Sequence, residues 1–123
     1  MQNYYHLLGV SNFASFEEIA AAYKQKHNEL FSSDSPLANI PKLRALKEGF
    51  EVLVDEEKRE EYDEKLNAYL EDIDVKFEEA IKDISSRDLQ SAIEKINWCI
   101  ARNPGEADYY ESLGLAYRLG GAL

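Results

Sequence analysis

No proline and no glycine falls between Gly49 and Pro104. A stretch that long without either breaker has no place for the tight turns that sheets need, and it points to helices. The whole chain has three prolines and six glycines, and no segment alternates apolar and polar residues for long, so strands are not expected. A single cysteine excludes an internal disulfide and fits a reducing compartment, so a cytoplasmic location is expected. No apolar run nears the roughly 20 residues that span a bilayer. The start, Met1-Gln2-Asn3-Tyr4-Tyr5, is not a signal peptide. Cations are scarce as well: 14 Lys plus Arg stand against 24 Asp plus Glu, a formal charge of −10 and a pI near 4.6. That average field repels duplexes and anionic bilayers, so neither a nucleic acid nor a membrane is an expected partner. His6 and His27 are the only imidazoles, and no Cys or His cluster at ligand spacing accompanies them. His27 therefore reads as a partly buried helix histidine. With no Gly-rich phosphate loop and no Ser-His-Asp arrangement, no catalytic residue, metal or cofactor is assigned, and an enzyme is not expected.

What remains is an all-α chain with room for one average domain or two small helical units sharing a core. Its most definite stretch runs from Phe50 to Asp63. Leu43, Leu46, Phe50 and Leu53 recur at helical spacing up to Val54, and then Asp55 interrupts. The Asp55 carboxylate can accept from the free amides of a new helix, with Glu56 and Glu57 at its positive end. Tyr62 and Leu66 carry the apolar face on. The reading is helix, sharp corner, helix.

Before it, Tyr4, Tyr5, Leu7 and Leu8 form a short apolar turn that Gly9 stops. Ser15 and Glu18 make a capping-box pattern for a second helix, whose Phe16, Ile19, Ala22, Tyr23, His27 and Leu30 share one side. Phe31 to Ile40 reads as a loop, and Pro41 can open the third helix.

Tyr4-Tyr5 with Leu7-Leu8-Gly9-Val10, then Ser15 to Tyr23, then Phe50 to Asp63, resembles a J-domain, the helical module of DnaJ-type co-chaperones. The resemblance covers roughly residues 3 to 66. It implies four helices, the second and third an antiparallel hairpin, the first lying across it and the fourth beginning at Asp55. J-domains that stimulate a DnaK-type ATPase carry His-Pro-Asp where the second helix enters the loop. Here those positions hold Phe31, Ser32 and Ser33, with Asp34 following. The basic residues of the family's second helix are replaced by Ala20, Ala21, Gln25 and Glu29; only Lys24 keeps a charge. Lys26 falls where the family has a buried leucine, which leaves the last turn of that helix open to question.

Beyond Leu66 the apolar face continues through Tyr69, Leu70, Ile73, Phe77, Ala80, Ile81 and Ile84. The fourth helix either runs on or kinks at Asp72 and Asp74. Ser85 to Asp88 turns the chain, and a further helix carries Leu89, Ala92, Ile93, Ile96, Cys99 and Ile100 to Asn103-Pro104-Gly105. This half resembles the tetratricopeptide repeat: Ala92, Ile96, Cys99 and Pro104 fall at its intervals, and Tyr110, Leu113, Gly114 and Tyr117 match the opening of a second repeat. Ala80 and Gly114 would be the small residues that let paired helices approach, and Asp83 sits where tyrosine is usual. The second repeat is expected to be incomplete, ending at Ala122-Leu123.

The expected division is a J-domain-like module over 1–68 and a tetratricopeptide-like region over 69–123. The expected function is a non-catalytic adaptor that binds a protein partner, a peptide or another protein's helix. The alternative is a co-chaperone or regulator of a DnaK-type chaperone that acts without the His-Pro-Asp trigger. Partner-binding positions would be Lys24 and, on the inner side of the last helix, Asp108, Glu111, Leu115 and Arg118. Two of those four are acidic, so an acidic peptide tail is not expected at that helix. Weak self-association through the uncapped last helix is also expected.

Overall fold

The computed structural model describes residues 1–121, and they are helical, with no strand among them. The chain divides into two compact units, Gln2–Leu66 and a second that begins at Asn67. Ala122 and Leu123, where the second repeat was expected to stop short, lie outside the described residues.

In the first unit α1 (Tyr4–Leu8) is capped by Asn3, whose side chain accepts from the amides of Tyr5 and His6 at 3.1 and 3.2 Å. Gly9 ends it in the left-handed region at φ 74°, where a side chain would be strained. Ser15 caps α2 (Phe16–Phe31) by accepting from the Glu18 amide at 3.1 Å. The Ser15 hydroxyl also donates to the Glu18 carboxylate at 3.3 Å, so the two side chains meet each other. Within the segment read as a loop, Pro36–Asn39 forms a 3-10 turn before α3 (Ile40–Leu53). Pro41 lies in the first turn of α3, where its missing amide hydrogen costs no helical bond. The corner forms as the spacing requires. The Asp55 side chain accepts from the Lys58 amide at 3.1 Å, and its carbonyl takes the Arg59 amide at 2.8 Å to start α4 (Glu56–Ser85).

Tyr5, Leu8, Ile19, Leu46, Leu53 and Leu66 are fully buried in this unit. Two tyrosine hydroxyls inside it find partners. Tyr5 donates to Asp63 and accepts from the Arg59 Nε at 3.1 Å, while Arg59 Nη2 reaches the Asn12 carbonyl at 3.1 Å. Tyr62 donates to the Gln2 carbonyl and accepts from the Tyr4 amide at 2.9 Å, and its ring stacks on Tyr4 at 4.7 Å. Burial pushes the Tyr62 hydroxyl up to about 12, so it stays a donor through the physiological range. Phe16, placed by its spacing on the inner side, is 45 % exposed and lies under the Arg59 guanidinium.

The second unit takes the remainder of α4, which is not interrupted at Asp72 or Asp74 and runs to Ser85, together with α5 (Leu89–Arg102) and α6 (Ala107–Leu119). Ile73, Ala80, Ile84, Ala92, Ile96, Cys99, Tyr109 and Ala116 form its core. Ile81, expected on the apolar face, is 40 % exposed because it lies one position beyond the stripe that Ala80 and Ile84 occupy. The turn passes through Arg87, a non-glycine residue in the left-handed region at φ 63°. Asp83 takes the Ser91 hydroxyl and the Lys95 ammonium, each at 2.8 Å, tying α4 to α5. Those two bonds, Lys95 above all, lower the Asp83 carboxyl below its ordinary value. Trp98 lies under the Arg102 guanidinium at 3.8 Å, with the Lys76 ammonium 5.5 Å from its ring. On α6 the packing falls on Tyr109 and Ala116, not on Tyr110 and Gly114. Tyr110 is exposed, and a Cβ on Gly114 would meet nothing within 4 Å. Of the two small residues, only Ala80 is buried. Burial raises the Cys99 thiol above its ordinary value, in keeping with a packing role.

Two substitutions test this packing. A Cβ on Gly49 would sit 2.9 Å from Tyr4 Cδ1 and 3.1 Å from its Cβ, close to the ring's own stem. Overpacking costs about 1–3 kcal/mol against a helix-propensity gain of about 1. Gly49→Ala should therefore lower stability in urea titration despite the better helix former. Arg87→Gly relieves a left-handed residue and should add about 0.5–1 kcal/mol, read as a raised melting midpoint.

Candidate functional site

The C-terminal end of α2 carries the positions 31–33 that the sequence singles out. Tyr23, His27 and Phe31 follow one another at four-residue spacing, so their rings form a ladder along one side. Tyr23 stacks on Phe50 of α3 at 4.4 Å, His27 lies 5.8 Å from Tyr23, and Phe31 lies 5.8 Å from His27 with nearly parallel planes. His27 is half-buried in this ladder and has no metal-binding group around it among the described residues. Phe31, at the free end, is 63 % exposed.

After Phe31 the chain is fixed by polar contacts. The Ser32 amide closes the last turn on the Asn28 carbonyl at 3.0 Å. The Ser33 hydroxyl donates to the Leu30 carbonyl at 3.1 Å, and the Asn39 side-chain amide donates to the same carbonyl at 2.9 Å and to Ser33 at 2.7 Å. Ser33 is therefore occupied in closing the helix end, and neither it nor exposed Ser32 offers a carboxylate or an imidazole. The question over the last turn of α2 is settled by geometry: the helix continues past Lys26, which is exposed, to Phe31.

Lys24 is exposed on α2. Other cations approach from α3. A groove of about 330 Å³ between the two helices is lined by Tyr23, His27, Ile40, Leu43, Arg44 and Lys47. Neither Arg44 nor Lys47 is paired with a carboxylate among the described residues. Reading α2 alone misses them. The available signal is the run Lys42, Arg44, Lys47 opening α3 in a chain that is otherwise acidic.

The four positions of the second unit are all exposed on α6. Asp108 lines a groove of about 250 Å³ with Asp74, Glu106 and Tyr109, an acidic surface. Glu111, Leu115 and Arg118 share its side of the helix by spacing.

Comparison with known proteins bears on the first unit. The family model of the DnaJ domain matches residues 3–63. A chaperone protein DnaJ from Haloarcula marismortui is 46% identical over 65 residues, 51% of this chain and 17% of that protein. One from Hydrogenobacter thermophilus is 37% identical over 84 residues, 68% of this chain and 24% of that protein. One from Nitratiruptor is 43% identical over 72 residues, 56% of this chain and 19% of that protein. The matched region thus spans a quarter or less of the length of these relatives. No solved structure gives a significant match.

The polar closure after α2 is testable. Asn39→Ala removes two donors to the end of that helix and should cost about 1 kcal/mol. It should also speed amide hydrogen exchange between Leu30 and Ser33, with exchange in α4 unchanged.

Proposed function

Starting from a J-domain module over residues 3–63, we propose that this chain is a non-catalytic, protein-binding adaptor of the co-chaperone kind, which does not switch on ATP hydrolysis by a DnaK-type chaperone. One observation carries the reading. Where stimulating J-domains present His-Pro-Asp, this chain has Phe31, Ser32 and Ser33, and Ser33 is committed to the Leu30 carbonyl and Asn39. A trigger needs a carboxylate and an imidazole free to engage the partner, and these side chains supply neither. The second unit supports the adaptor half of the proposal. Ala92, Ile96 and Cys99 pack at the small and apolar intervals of a tetratricopeptide-like hairpin, which leaves Asp108, Glu111, Leu115 and Arg118 outward for a partner.

A second reading is favoured by the groove of Tyr23, His27, Arg44 and Lys47. In it the module still docks on an acidic chaperone face and competes with active J-proteins. Lys24 would join the same surface.

Single-turnover ATP hydrolysis by the cognate DnaK-type chaperone should be unchanged on adding this protein. Acceleration of more than a few-fold would sink the proposal. Added together with an active J-protein, the adaptor leaves the stimulated rate alone, whereas the competitor lowers it. Arg44→Glu together with Lys47→Glu should abolish such competition.

A further inference from the structure

On the side of α2 away from the aromatic ladder, one residue breaks the apolar pattern. Ile19, Ala22 and Leu30 define a stripe at helical spacing, and Lys26 falls in the middle of it. A lysine cannot be buried there without a partner, and none is provided; Lys26 is exposed. Its stem lies along the end of α1, with Cε 3.7 Å from the point where a Cβ on Gly9 would stand. The space that an apolar side chain would fill is left as a groove of about 330 Å³ between α1, α2 and α3. Leu7, Leu30 and buried Leu46 line it, and His6, Lys26 and Lys42 stand around them. Neither lysine is paired with a carboxylate among the described residues. Glu29, also at the edge, accepts from Gln25 at 3.3 Å along the outer side of α2.

We propose that this groove docks an acidic peptide segment of a partner protein. One leucine-sized side chain rests on Leu7, Leu30 and Leu46, and flanking carboxylates meet Lys26 and Lys42. The complementarity is specific in sign. The chain carries a net −10, yet two unpaired ammonium groups gather here beside an apolar floor that Leu7 and Leu30 leave half open above Leu46. Water gains little by filling such a floor, while an apolar side chain gains contact area and brings its carboxylates within reach of both lysines. The site is lined by none of Phe31, Ser32, Ser33, Arg44 and Lys47, so the inference stands whether or not the chaperone reading does.

The test uses the full chain and a fluorescein-labelled peptide with one leucine between glutamates, read by anisotropy and by amide NMR shifts. Binding should move the amides of Leu7, Lys26, Leu30 and Lys42. A control peptide with serine for leucine should bind at least about tenfold more weakly, and so should Lys26→Leu protein, which loses a cation and fills the groove. Lys42→Glu, an exposed change that leaves the fold in place, should have the same effect. Glu29→Gln should tighten binding by removing a repulsive charge. Equal binding of the serine peptide would reduce the effect to surface charge and overturn the proposal. So would indifference to both lysine variants, shifts centred on another face, or no binding at millimolar peptide. A doubled mass in light scattering without peptide, abolished by Lys26→Leu, would make a second copy the occupant and would also overturn it.

Discussion

Burying a tyrosine obliges the fold to satisfy its hydroxyl, and the first unit is arranged around that obligation at Tyr5. The ring is fully buried, and the hydroxyl reaches Asp63 and Arg59, both on α4. Arg59 in turn holds the Asn12 carbonyl of the connection that leads to α2. Tyr62 repeats the device one residue away, tying the backbone at Gln2 and Tyr4 to the same helix. An unpaired buried hydroxyl would cost about 1–3 kcal/mol, so these contacts set the register of a five-residue helix too short to hold itself. The sharp corner at Asp55 matters for the same reason, since it directs Arg59, Tyr62 and Asp63 back towards α1.

Much of this was legible in the sequence, and the legible parts are the local ones. The caps at Ser15 and Asp55, the stop at Gly9 and the corner itself depend on residues within four positions of one another. They form as the spacing requires. Features that depend on distant partners were not legible. Nothing in the chain announces that Gly49 lies against Tyr4, or that Asn39 reaches back to Leu30. On α6 the expected packing position, Tyr110, is one residue away from the buried one, Tyr109. The tetratricopeptide-like pattern favoured Tyr110, whereas the packing against Phe77 selects Tyr109. The site was half legible. The residues at 31–33 could be counted out directly, but the cations of α3 join the surface only when the hairpin closes.

The two sides of the α2–α3 hairpin carry different chemistry on one small scaffold. One side is an aromatic ladder flanked by Arg44 and Lys47; the other is a leucine floor beneath Lys26 and Lys42. Both place cations over apolar surface in a chain dominated by carboxylates. Long-range repulsion from the acidic remainder disfavours anionic partners in general. Short-range pairing at these grooves would then admit only those with an apolar group correctly placed.

Trp98 has an optical consequence. It is the sole tryptophan, and the groups around its ring, Arg102 and Lys76, belong to the second unit. Its emission therefore reports the loosening of α4 against α5 and carries no direct signal from the first unit. The first unit has no tryptophan and contributes four tyrosines, Tyr4, Tyr5, Tyr23 and Tyr62. Tyr69, Tyr109, Tyr110 and Tyr117 give the second unit as many, so tyrosine absorbance follows the whole chain while red-edge excitation of Trp98 isolates the second unit without an added label.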